Sequence, residues 1–551
     1  MNLRLMDRPL FWLIFAGLFA FAVGSHLNFL PLRFEEPRRA IVALEMMLNG
    51  DMIKPTINGV DYFNKPPIYN WILVGLFNLF GFENWVIRMP TVLSLMLIGI
   101  LHFFIFKNWL GKTAAVLSSI FFVTSADILF YFSFQGEIDM FYTLIVYLQL
   151  VSIGYWYYHK QKVRYLFMAS YFLMTAGLLT KGMPSLAFQG LTLLGIAVAE
   201  KKVKWLFSPW HLIAIIASSL GLIGFFTLYE NHGGDTQAYL TRLLSQSTER
   251  TALGEQSLWN KLKHLFTFIG LFLRISLPWV FLWIFRFKKI TFSQLLQSIW
   301  ENTAVRFAII FLLSNLWLYW LSPGTRNRYL YMFLPFFFIP IAHFLPDTLR
   351  SGTWQKKWFK GIFGGLLIGL ALFCISLPFL PKTDVISGIW LIAILGLIVI
   401  TALTLLFFKA SSIDRLLLFA ISLLVIRSVF NYSILPVRKA EDFKTDYKRA
   451  AHELQAITKG QRLYLYEPKT VNNYGVPILG GQVSYGEIKW PPYQISYHIS
   501  NLNGHVLQQT SSLEDNKYYL VSERFMTNEM LELWRVYCHN RGETYYLVRK
   551  K

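Results

Sequence analysis

The chain has 551 residues, 55% of them hydrophobic and 17% aromatic, with only 15% charged and a mean hydropathy of +0.43. Soluble chains carry roughly a quarter charged residues, so this composition excludes an ordinary water-soluble protein and points to lipid as the main solvent. The net charge of +21 does not indicate a nucleic-acid binder, because the Lys and Arg residues form short clusters between apolar segments instead of gathering on one soluble face.

The first apolar segment, Phe11 to Leu30, follows a short basic start at Arg4 and Arg8. It lacks a small-residue cleavage site and is followed by many more apolar runs, so it reads as an uncleaved first span and not as a signal peptide. Segments long enough to cross a hydrocarbon core of about 30 Å follow at 88–106, 113–132, 139–158, 165–180, 183–199, 209–229, 265–285, 304–322, 329–345, 361–380, 385–408 and 415–435, which makes about thirteen helices. The break Lys181-Gly182-Met183-Pro184 predicts two short helices over 165–199, and residues 68–82 read either as a further span or as an interfacial helix.

Every second connector is a Lys/Arg cluster: Lys107 and Lys112; Lys160, Lys162 and Arg164; Lys201, Lys202 and Lys204; Arg286, Lys288 and Lys289; Arg350 to Lys360; Lys409 and Arg415. Positive-inside insertion then predicts a cytoplasmic N-terminus and, from the odd count, a C-terminus outside, in the periplasm if the cell has two membranes. The intervening outward connectors, above all 32–87 and 230–264, are longer and hold carboxylates, so any chemistry is expected outside.

After Pro436 the apolar runs give way to Lys, Asp, Glu, Asn and Tyr, which predicts a membrane domain over 1–436 and a soluble extracytoplasmic domain over 437–551. Helical periodicity from Tyr447 to Ile457 and strand-like runs at Arg462 to Tyr466, Tyr518 to Val521 and Thr544 to Val548 predict a small α/β domain. The expected fold class is therefore an all-α polytopic membrane protein with a small C-terminal α/β domain. Cys374 and Cys538 lie far apart in the chain, in an apolar run and near the C-terminus, and are not expected to pair.

The sharpest local signal is the first outward loop. Glu35 and Glu36 head a segment in which Ile41, Leu44, Met47 and Leu48 recur at helical spacing, with Pro37 at an allowed first-turn position. Acids there favour the positive end of the helix dipole, so a plain helix start explains them as well as a catalytic role does. With the apolar stretch from Pro66 to Phe82, the loop has two amphipathic pieces able to roof a cavity at membrane level.

The run E-E-P-R-R-A, then L-E-M-M-x-x-G-D, then P-T-I-N-G-V-D-Y-F-N-K-P-P resembles the first-loop signature of bacterial GT-C glycosyltransferases of the aminoarabinose transferase and protein mannosyltransferase type. The resemblance implies transfer of a sugar from a polyprenyl-phosphate carrier, such as undecaprenyl phosphate, to a lipid A-like lipid, a glycan or a protein. The family's Asp-Glu pair is here Glu35-Glu36, and its Glu-Lys-Pro triplet is Asn64-Lys65-Pro66. Lys65 carries over, whereas the amide at Asn64 puts a metal site in question. No cofactor is otherwise implied, and a divalent cation stays open.

The resemblance further matches Asp139, beside Glu137, to a carboxylate that starts a span, Lys181 to a Lys-Gly-Pro turn, Arg250 to a phosphate-contacting arginine, and Arg326, Arg328 and Tyr329 to a basic turn before a span. Arginine forks suit phosphate oxygens. Lys65, Lys181, Arg250, Arg326 and Arg328 are accordingly expected at the carrier phosphate, with Tyr329 beside them. Glu35 is the first candidate for base or acceptor-orienting residue and Asp139 the second, with Glu36 and Glu137 in support. Asp127, Arg274 and Arg427 lie in or near spans, where ionisable residues mark either a functional site or a structural ion pair. The competing classes are a lipid-linked glycan flippase or transporter, which should place charges at the bilayer midplane in two related halves, and an oligosaccharide ligase.

Overall fold

The computed structural model describes residues 5–249, 257–285, 292–351, 353–442, 445–468, 493–539 and 542–551. The chain opens with α1 (Pro9–Gly24), then α2 (Glu36–Asn49), a hairpin of β1 (Thr56–Ile57) and β2 (Val60–Asp61), and α3 (Ile68–Phe80). The bundle continues with α4 (Asn84–Phe106), α5 (Lys112–Val123), α6 (Ile138–Gly154), α7 (Val163–Lys181), α8 (Pro184–Ala199) and α9 (Pro209–Asn231). Next come α10 (Thr236–Glu249), α11 (Leu258–Ile275), α12 (Phe292–Glu301), α13 (Thr303–Asn315), the single turn α14 (Trp317–Trp320), α15 (Leu334–Ser351), α16 (Thr353–Ser376), α17 (Ile389–Lys409) and α18 (Ser412–Asp442).

Each of the thirteen apolar stretches falls on helix, and eight helices among the described residues are long and apolar enough to cross a membrane. α1, α5 and α8 are shorter apolar helices. At 1.5 Å per residue the 12-residue α5 covers only about 18 Å, and a wider turn over Ile128–Phe132 carries the chain on toward the far surface. The break after α7 has the expected cause: Gly182 takes φ +102 and Pro184 opens α8. At 13 residues α3 is too short to span, and it packs on α2, α4 and α7.

The bundle is built from sequence neighbours, α4 on α5, α6 on α7, α16 on α17 and α17 on α18, tied by the long-range contacts α1 on α18, α5 on α15 and α13 on α8. Its core is rich in rings; Trp279, for instance, is fully buried against Phe121 at 4.4 Å between centroids.

The C-terminal part folds as α19 (Tyr447–Thr458), β3 (Leu463–Tyr466), α20 (Tyr493–Asn503), β4 (Gln508–Thr510), β5 (Tyr518–Ser522), β6 (Met530–Cys538) and β7 (Glu543–Lys550). The sheet order is β4-β3-β5-β7-β6; β3 runs parallel to β4 and β5, and β7 antiparallel to β5 and β6. Asp446 caps α19 by accepting from the Arg449 amide at 3.0 Å.

This sheet domain sits on the first outward loop. α20 packs on α2, the Tyr497 hydroxyl donates to the Phe82 carbonyl at 2.8 Å, and the Gln509 amide donates to the Asn58 carbonyl at 2.8 Å. The Asn58–Gly59 turn that meets β4 is held from behind by Glu45, which accepts from the Asn58 amide, the Thr56 hydroxyl and the Gly59 amide at 2.5, 2.7 and 3.2 Å. Gly59 takes φ +74 against the side chain of Gln508, where a Cβ would meet the Gln508 Cγ at 3.1 Å.

Candidate active site at the roof of the bundle

Glu35 immediately precedes α2, and Gly50 stops the helix at φ +68. Its first turn is anchored by Glu36, which is fully buried and takes a two-pronged ion pair from Arg88 of α4, Nε to Oε1 at 2.7 Å and Nη2 to Oε2 at 2.9 Å. Arg88 spends its remaining donors on the carbonyls of Leu27 and Leu30 (2.6 and 2.9 Å, from Nη1) and Pro31 (3.0 Å, from Nη2). Glu36 also accepts from the Gly136 amide at 2.6 Å and the Arg33 amide at 2.8 Å. This lock joins the end of the first span, the start of α2, α4 and the connector before α6. The Glu36 carboxylate is thus engaged by Arg88 and by the amides of Arg33 and Gly136.

Locking Glu36 aims its neighbour Glu35 the other way. Glu35 pairs with Arg38 at 2.8 Å and lies 3.8 Å from Arg39, one helical turn on, while its amide donates to Glu137 at 3.4 Å. Burial pushes the Glu35 carboxyl up, but the charges of Arg38, Arg39, Arg328 and Lys65 overcome that and hold it below its usual range. Lys65, expected at the carrier phosphate, contributes the smallest of these four charges at Glu35. Arg39 is itself held by the Tyr62 hydroxyl at 2.6 Å.

Behind Glu35 runs a chain of alternating charges. Glu137 meets Arg328 at 3.2 Å, Arg328 meets Asp139 at 3.4 Å, and Asp139 meets Lys181 at 2.5 Å. The Lys181 ammonium lies over the rings of Tyr142 and Tyr329, 4.9 and 4.5 Å from their centroids. Burial, with the nearby charges of Asp139 and Glu35, pushes the Glu137 carboxyl up to about 7 even though Arg328 pulls it down. Three parts of the sequence supply this chain: the connector into α6 with the first turn of α6, the end of α7, and the turn before α15.

In front of these groups opens a cavity of about 730 Å³, walled by Glu35, Arg38, Asp127, Arg274, Arg326 and Arg328, with Phe34, Tyr131, Phe132, Gln135, Asn327 and Tyr331. Four guanidinium groups against two carboxylates make it an anion site. Asp127 is occupied by Asn327 at 3.1 Å and the Tyr331 hydroxyl at 2.5 Å, which fixes the turn carrying Arg326 and Arg328.

Of the expected residues, Glu35, Arg326 and Arg328 line the cavity, while Glu137, Asp139, Lys181 and Tyr329 form the layer beneath it. Arg250 lies outside the described residues. Asp127, Arg274 and Arg427 do not pair with one another: the first two face the cavity, and Arg427 is buried elsewhere, bonded to Asn431 and Ser133. His232 meets Asp51 at 3.1 Å, in the packing of the first loop against α9. Among the described residues no group of three or more His, Cys, Asp or Glu is arranged to hold a metal ion. The described acids at this site are matched with Arg and Lys.

Sequence reasoning missed Arg38, Arg39 and Arg88. The first two stand at i+3 and i+4 from Glu35, a spacing that was legible, and Arg88 is a charge inside an apolar segment, itself a signal.

The sequence pattern of the dolichyl-phosphate-mannose-protein mannosyltransferase family matches residues 64–229. No curated protein shows a significant sequence match to the chain. Among solved structures, ArnT from Cupriavidus metallidurans bound to undecaprenyl phosphate superposes with a TM-score of 0.68 at 15% identity, over 98% of each chain. The same protein in the apo state gives 0.63 at 16% identity, over 98% of this chain and 97% of that one. The chain therefore has an ArnT-like fold, a bundle of membrane-length helices with a small C-terminal sheet domain, and its residues 64–229 are similar to the dolichyl-phosphate-mannose-protein mannosyltransferase family.

Proposed function

We propose that the chain is a glycosyltransferase that moves a sugar from a polyprenyl-phosphate carrier, of the undecaprenyl phosphate kind, to an acceptor at the outer face of the bacterial inner membrane. The observation that carries this reading is the cavity in which Glu35 stands among Arg38, Arg274, Arg326 and Arg328. Its likeness in fold to ArnT, which has been crystallised with undecaprenyl phosphate, supports it.

In the reaction the acceptor oxygen attacks the anomeric carbon from the face opposite the phosphate, the carbon–oxygen bond to phosphate breaks, and the polyprenyl phosphate leaves with the electron pair. Charge grows on the leaving phosphate, and donors already aimed at it stabilise that state more than the ground state. Arg326 and Arg328, fixed by the Asp127 contacts and by Glu137 and Asp139, are those donors, with Arg274 on the wall beside them. Lys65 and Lys181 compensate the acids.

Glu35, kept ionised by its cations, orients the acceptor and receives its proton where the acceptor is a hydroxyl. A carboxylate held below its usual range is a weak base, which favours an acceptor that is already acidic, such as the phosphate of a lipid A-like lipid, over a sugar or protein hydroxyl. The N-terminus then lies in the cytoplasm, and the C-terminal domain that begins with α19 is periplasmic, over the site.

The test is transfer by purified protein in detergent from a labelled polyprenyl-phosphate sugar to lipid, glycan and peptide acceptors. Arg328→Ala is expected to lower turnover roughly 10²- to 10³-fold, with a smaller loss for Arg326→Ala. Wild-type turnover in both would remove the cavity from the reaction.

A further inference from the structure

A second large cavity lies outside the site, between α1, α4 and α5, at the membrane surface where α1 and α5 begin and α4 ends. It holds about 720 Å³ and is apolar along its length, with Trp12, Phe15 and Phe19 from α1 facing Ile100 of α4 and Ile120 and Val123 of α5. From Met6 to Phe19 it follows 13 residues, about 20 Å at 1.5 Å per residue. One leaflet's hydrocarbon is about 15 Å deep, so the groove accepts an acyl chain over the full depth of a leaflet.

Its surface end is basic. Lys112 lines it and reaches the Asp7 carboxylate at 3.0 Å, both groups being half exposed. Lys107 lies over the ring of Phe104, a wall residue, 4.7 Å from its centroid, and Arg8 is exposed beside Asp7. Cations thus gather about the mouth of an apolar shaft, the charge pattern that suits an anionic headgroup above its tails. The Lys112–Asp7 pair is solvent-exposed and therefore weak, so Lys112 can exchange its partner for a phosphate at little cost.

We propose that this groove is a binding site for an anionic glycerophospholipid, its phosphate held by Lys107 and Lys112 and one acyl chain laid between α1 and the α4–α5 pair. The site is separate from the sugar-transfer cavity and does not depend on that assignment.

The test is native mass spectrometry of the full-length protein released from nanodiscs containing phosphatidylcholine and phosphatidylglycerol in equal amounts. The wild type should retain phosphatidylglycerol in preference. The Lys107→Ala, Lys112→Ala double variant should lose that preference roughly tenfold or more, and Asp7→Asn, which frees Lys112, should strengthen it. Ala16→Trp places a ring in the groove from an exposed position of α1 and should remove the retained lipid with both lysines intact. Equal retention of the two lipids by the wild type, no change in the double variant and in Ala16→Trp, or displacement of the phospholipid by added polyprenyl phosphate would each overturn the proposal.

Discussion

Replacing Arg88 by Met tests whether the Glu36–Arg88 lock holds the roof of the site. All five N–H groups of Arg88 are engaged, two on Glu36 and three on the carbonyls of Leu27, Leu30 and Pro31. Removing it strands a fully buried carboxylate, and breaking one side of a buried pair costs about 3–5 kcal/mol. Removing both charges in Glu36→Gln with Arg88→Met leaves the three carbonyls and the amides of Arg33 and Gly136 short of full partners. That double variant should lose about 1–3 kcal/mol, less than the two single losses together, so the cycle should show a coupling of at least about 2 kcal/mol. Arg88→Lys keeps the charge without the fork and should fall between. Unfolding in mixed dodecyl sulfate micelles measures these differences, and transfer activity should fall in parallel, because Glu35 is aimed by the same turn. Arg88→Met within about 0.5 kcal/mol of wild type, or a cycle that sums without coupling, would refute the lock.

Gly136→Ala should damage the same junction, since a Cβ there would meet the Ile87 carbonyl oxygen at 2.7 Å; reduced thermal stability and lower turnover are expected, measured by melting in detergent and by transfer assay. Burial pushes the Glu137 carboxyl up from its ordinary 4.5 to about 7. Its neutral form predominates below that pH and releases Arg328 toward phosphate, so the KM for the donor should fall between pH 8 and pH 6, and Glu137→Gln should flatten that dependence. Glu45→Ala leaves the Asn58 and Gly59 amides and the Thr56 hydroxyl unpaired, at about 1–3 kcal/mol for a buried donor without a partner. Because that turn carries the Asn58–Gln509 contact, proteolysis should detect a loosened C-terminal domain.

The first outward loop shows how far the sequence could be read. Its carboxylate pair and Pro37 mark a helix start, and Gly50 marks its end, because caps and turns are local chemistry. Which of the two acids faces the cavity was not legible: adjacent residues on a helix point about 100° apart, and only the position of Arg88 on another helix decides that Glu36 turns inward and Glu35 outward. In the C-terminal domain, α19, β3, β5 and β7 were visible from periodicity. β6, with exposed charges along an edge, and the short β4 lacked that signal.

Lipid as solvent was dictated by composition, since an apolar run must either be buried or cross the bilayer. The positions of the helices followed from the same requirement, with each backbone bonded within its own segment. The charge chain Glu137–Arg328–Asp139–Lys181 was beyond one-dimensional reading, because its members come from connectors and helices up to about 190 residues apart. Tertiary packing alone brings them within hydrogen-bond reach. There, low dielectric makes each charge depend on its neighbour, and individually ordinary acids and bases become one electrostatic unit.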